Sequence, residues 1–138
     1  MLNAHEALIY TMVIVSAADR EMTDREMMMI GSIVKQFPVF SGFSNERLPV
    51  VAAECAKMLS GKNKISQILQ KISQAVPSNL YETVYTIACD VAAADGKVTE
   101  EEARILDLVR NELKIDMLVA AAIERAARAR YMQLATRH

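Results

Sequence analysis

The sequence predicts an all-α fold, a compact single-domain bundle of about seven helices containing two pseudo-repeated helix hairpins. Three observations carry that prediction. The composition favours helices: Ala, Leu, Ile and Met are plentiful, while 138 residues include four Gly, three Pro and no Trp. Apolar positions recur at the three-and-four spacing of a helix face rather than in the alternation of a half-buried strand. A helix–corner–helix segment also appears twice.

The repeat organises the rest. At a shift of 76, Val15, Ala17, Ala18, Asp19, Thr23 and Glu26 fall on Val91, Ala93, Ala94, Asp95, Thr99 and Glu102. Met29, Ile30, Ile33 and Phe37 fall on Ile105, Leu106, Val109 and Leu113. The two copies span about 3–37 and 79–113, inside one domain of 1–138. In the first copy, residues 3–18 read as a helix apolar on nearly every side, hence central. Its β-branched cluster at 9–15 would suit a strand, but its Ala-rich end and its match to the second copy favour the helix. In the second copy, Leu80, Val84, Ile87, Val91 and Ala94 form an inner stripe. Asn79, Glu82, Thr83, Thr86 and Asp90 form a polar one.

Between the copies, Pro38, Gly42 and Pro49 punctuate the chain. A loop is expected at 38–44, then helices over about 45–59 and 64–75 separated by a break at "SGKN". Ser78 is a candidate N-cap for the helix that follows. Asp116 is another, for a last helix running from Met117 towards Leu134.

The corners have a structural reading and a chemical one. Thr23 with Glu26, and Thr99 with Glu102, have the spacing of a capping box, in which side chain and backbone satisfy each other's donors at a helix start. The surrounding acids suit the positive end of a helix dipole. Gly96 is placed to take the left-handed turn that ends a helix, and Met22 and Val98 to plug the corners. "DGKVTEEE" also overlays the second half of an EF-hand loop, with Asp95 at the fifth position, Gly96 at the sixth and Glu102 at the twelfth. The first and third positions would be Val91 and Ala93, or Val15 and Ala17 in the other copy, and none offers a side-chain oxygen. Since Ca²⁺ takes about six to eight oxygens, neither corner is an EF-hand. A weaker divalent-cation site shared by both corners needs them to meet in space.

The doubled corner, "SAADREMTDRE" and "AAADGKVTEEE", resembles the tellurite-resistance TerB-like family, which also includes the N-terminal region of a membrane-anchored DnaJ-type co-chaperone. The second copy matches closely; the first departs at Arg20, where Gly is usual. The resemblance implies an all-α fold of paired hairpins and a bacterial cytosolic protein, at the membrane's inner face or free of it, linked to tellurite or other chemical stress. It also implies that Asp19, Glu26, Asp95 and Glu102 are the acidic positions that would bind a cation.

Other features point away from chemistry. No nucleophile–base pair, Gly-rich phosphate loop or HExxH motif is present, so the chain is expected not to be an enzyme and to require no cofactor, with a divalent cation at the corners as the alternative. His5 and His138 have no Cys or acid at ligand spacing. Cys55 and Cys89 sit in apolar helical patterns as reduced, buried thiols, which suits a cytoplasmic location. The N-terminus lacks the basic start of a signal peptide, and the charge-free run 7–18 is too short to span a bilayer. Met29 aligns with a core position and Met28 with an exposed one, so Met27-Met28-Met29 is not a soft-metal box.

Net charge is −1, and nucleic acid is not an expected partner. The charge is uneven: residues 117–138 carry a balance of +3 and residues 90–102 a balance of −4. Solvated helix faces account for this. A bipolar surface would also serve protein partners, or peripheral contact with anionic headgroups at a membrane surface. The oligomeric state is left open, a dimer included. The expected function is a non-catalytic binding or scaffold domain, with a divalent-cation sensor as the alternative.

Overall fold

The computed structural model describes residues 2–18, 20–61 and 64–134. Among them, seven α-helices follow one another: α1 (Ala4–Ser16), α2 (Asp24–Gln36), α3 (Leu48–Ser60), α4 (Ile65–Ala75), α5 (Tyr81–Ala93), α6 (Glu100–Glu112) and α7 (Met117–Arg130). The described residues form no strand. No described helix is long and apolar enough to cross a membrane.

Helix α1 is the centre. Asn3 caps it, accepting the Glu6 N–H at 2.9 Å while the Glu6 carboxylate accepts the Asn3 N–H at 3.0 Å. Every residue from Ala7 to Ser16 is buried. A helix apolar on all sides must be covered on all sides, and α2, α3, α4, α5 and α6 all pack against it. Of its two buried hydroxyl residues, Thr11 and Ser16, Thr11 donates its hydroxyl to the Ala7 carbonyl at 2.9 Å. The surrounding helices each contribute an apolar stripe, including Ile30 and Ile33, Val51 and Cys55, Ile68 and Ile72, Val84 and Ile87, Ile105 and Val109. Burying an aliphatic side chain of this size contributes about 1.5–3 kcal/mol.

The repeat is present in three dimensions. Both ends of α2 and α6 are related by the shift of 76 seen in the sequence. Each hairpin is then backed by a third helix: α3 packs on α1, and α7 packs on α5. Helices α2 and α3 scarcely touch each other, nor do α6 and α7. Two V-shaped grooves follow, one floored by α1 and the other by α5.

Several boundaries differ from those the sequence predicts. The 38–44 loop contains a 3-10 turn at Pro38–Phe40. The helix expected from residue 45 begins as a 3-10 turn, Asn45–Arg47, and becomes α-helical at Leu48, beside Pro49, which has no N–H to join a preceding α turn. Ser78 caps nothing: it opens a 3-10 turn, Ser78–Leu80, that leads into α5. The last helix stops at Arg130, short of Leu134, while Asp116 caps its start as expected through the Leu118 and Val119 N–H groups.

Candidate functional site

Both corners are built as capping boxes. Thr23 Oγ1 accepts the Glu26 N–H at 3.1 Å, and Glu26 Oε1 accepts the Thr23 N–H at 2.8 Å. Thr99 and Glu102 repeat this at 3.1 and 2.9 Å. Gly96 lies at φ +78°, in the left-handed region, and its N–H closes the end of α5 on the Ala93 carbonyl at 2.9 Å. A glycine takes that conformation without the Cβ clash other residues suffer. Arg20 occupies the equivalent place in the first corner and donates to Glu26 Oε1 at 3.1 Å. The first corner therefore carries an internal cation on the carboxylate that a metal would need. Val98 plugs nothing: it is 46% exposed and lines the groove between α6 and α7.

Of the four acids singled out by sequence, Asp19 lies outside the described residues. Glu26 and Asp95, one from each corner, line the same small cleft of about 280 Å³, with Ser16, Arg25, Met29 and Tyr131 around them. The two corners thus approach one another. The buried Ser16 Oγ has no hydrogen-bond partner among the described residues. Glu102 is not part of that cleft and is buried beside Thr99. Among the described residues, no three His, Cys, Asp or Glu side chains are grouped to hold one metal ion.

The remaining candidates behave as packing. His5 Nε2 lies 2.9 Å from the Val39 carbonyl, and its ring stacks with Phe40. Met28 is 75% exposed, whereas Met27 and Met29 pack against the core. Burial pushes the thiols of Cys55 and Cys89 up to about 12, so at neutral pH both stay protonated, a poor state for attack or metal ligation.

Two side-chain pairs escaped the sequence reading. Asp90, assigned there to a polar stripe, is buried at 1% exposure and accepts a hydrogen bond from Arg130 at 2.5 Å. Asp90 is buried because α7 covers that side of α5, and the guanidinium arrives from 40 residues away. One signal was available, since the equivalent residue in the first copy is the fully buried Ile14. The second pair is Tyr85, whose hydroxyl donates to Glu124 at 2.5 Å. Burial and then that carboxylate push the phenol well above its ordinary range.

Two grooves, one in each half, are larger than the cleft between the corners. The one over α1 measures about 830 Å³ and is lined by Val13, Ala17, Met22, Met27, Ala52 and Ala56 among others. The one over α5 measures about 580 Å³ and is lined by Cys89, Ala93, Val98, Ala103 and Ala127 among others. At the shift of 76, Val13, Ala17, Arg20, Met22 and Met27 correspond to Cys89, Ala93, Gly96, Val98 and Ala103. The grooves are one feature made twice.

Capped hairpins, doubled and each backed by a third helix, define the class as an all-α domain of paired hairpins. Within that class the chain belongs to the TerB family: the family model described as "Tellurite resistance protein TerB" matches residues 5–128, nearly its whole length. No curated protein and no solved structure matches it.

Proposed function

We propose that the chain is a non-catalytic binding or scaffold domain that seats a partner protein's helix, in a response to tellurite or another chemical stress of the kind its family's name denotes. The observation that carries this reading is the groove over α1. Its lining includes small side chains, Ala17 after α1 and Ala52 and Ala56 on α3, which let a helix backbone come close. Met22 and Met27 stand beside them. Unbranched thioether side chains repack around different apolar partners, the usual property of helix-receiving grooves. The test is Ala56→Glu, a charge placed at an exposed groove position. The variant should keep the helical circular dichroism and melting temperature of the parent, lose the partners that cross-link to the parent in cells, and fail to restore tellurite tolerance to cells lacking the chain. Retention of every partner and of tolerance would overturn the reading.

One observation favours a second reading, a divalent-cation sensor: Glu26 and Asp95 share a cleft with Ser16, whose hydroxyl has no hydrogen-bond partner among the described residues. The sequence names Asp19 and Glu102 as the other two candidate oxygen ligands of such a sensor. Calorimetric titration with Ca²⁺, Mg²⁺, Mn²⁺ and Zn²⁺ distinguishes the two. A sensor gives heat and a thermal shift that Asp95→Asn removes; no response at millimolar metal leaves the scaffold reading alone.

A further inference from the structure

Helices α3 and α7 hold the same place in the two halves, yet they are attached by different forces. Helix α3 buries Leu48, Val51, Ala52 and Cys55. Helix α7, one residue longer, buries two alanines, Ala120 and Ala127, with Val119 and Ile123 partly covered. Its specific attachments to α5 are polar: Glu124 on the Tyr85 hydroxyl and Arg130 on Asp90. Both pairs advance in the same direction along the two helices, so α7 runs parallel to α5 and is pinned at its middle and at its C-terminal end. A short link precedes it, in which Lys114 takes a left-handed φ of 53°.

These attachments differ in what their separation costs. Pulling apart an apolar face exposes it to water with no return. Separating Arg130 from Asp90 returns both charges to water, which offsets much of the lost attraction. Regions with few buried apolar contacts open at free energies below that of global unfolding.

We propose that α7 is a strap that lifts from α5 as a unit while α1 to α6 stay folded, uncovering the strip of α5 that carries Tyr85, Cys89 and Asp90. The closed state depends on Arg130, because without it Asp90 would be a buried, unpaired carboxylate; lifting α7 would rehydrate it.

The two cysteines supply the readout. Cys89 lies on α5 at 3% exposure, lining the groove beside α7 with Ala127, and Cys55 lies on α3 at 0%. Maleimide labelling of the full chain at pH 8, without denaturant, is followed for each thiol by mass spectrometry. Cys89 is expected to label roughly tenfold or more faster than Cys55, the signature of a local opening. Arg130→Ala should quicken Cys89 by roughly another tenfold and leave Cys55 unchanged. If Arg130→Ala does not fold, Tyr85→Phe, which removes the hydroxyl of the other pin and little else, is read in its place, with the same direction and a smaller gain. Equal labelling of the two thiols, a Cys89 rate that the variant leaves alone, or a change common to both cysteines would overturn the proposal. An unaffected Cys89 rate would mean direct entry through the groove rather than opening.

Discussion

In the first half of the chain, Arg20 sits on Glu26 at the corner and aliphatic side chains hold α3 to α1; in the second half, Gly96 turns the corner and two polar pairs hold α7 to α5. The capped corner and the starts of α2 and α6 are common to both. Their likeness comes from contacts spanning three residues, which a repeated sequence reproduces wherever it occurs. The difference comes from what reaches each hairpin from afar. At the position where α1 carries Ile14, α5 carries Asp90, and a residue on a distant helix had to match. A duplicated hairpin therefore reproduces its own geometry, while the strength with which its third helix is attached is free to diverge.

Truncations on the third helices give the widest separation. Leu48→Ala on α3, at a nearly covered position, should cost about 2–4 kcal/mol in urea unfolding. Ile123→Ala on α7, only partly covered, should cost less than about 1 kcal/mol. Equal losses would erase the distinction between welded and pinned helices.

The corners come next. Gly96→Ala puts a Cβ on a left-handed residue and should cost about 1–2 kcal/mol, although open space surrounds the position. If Gly96→Ala melts with the parent, the backbone of the second corner can relax and the glycine is not needed there.

The smallest effects should be the shared ones. Thr23→Ala and Thr99→Ala each remove an N-cap and should cost about 1 kcal/mol. Arg20→Ala removes an ion pair whose arginine is half exposed, and should cost less than about 0.5 kcal/mol. Its use is to sharpen the cation reading: if Arg20 is the internal competitor for Glu26, the variant should bind Mg²⁺ or Mn²⁺ more tightly in the same calorimetric titration.

Legibility followed the range of each interaction. The all-helical class, the burial of α1 and both capping boxes were readable, since the 3.6-residue period and the Thr-to-Glu spacing lie within a few residues. Ser78 misled because a hydroxyl before an apolar run fits an N-cap, but the chain enters α5 through a 3-10 turn after Pro77. Val98 misled because its apolar character was taken for burial, whereas the groove between α6 and α7 leaves it exposed. The candidate site was half readable. The four acids could be named, but that Glu26 and Asp95 face one cleft depends on the packing of α2 against α5.

From residue order alone came the helices, their N-caps, the repeat and the resemblance to the TerB family, all carried by neighbours along the chain. Tertiary structure decided the fate of Asp90, the two grooves, the meeting of the corners and the polar pairs that join α7 to α5. Each of these depends on groups tens of residues apart, such as Arg130 and Asp90, whose approach is set by how the helices stack around α1 and α5 rather than by local spacing.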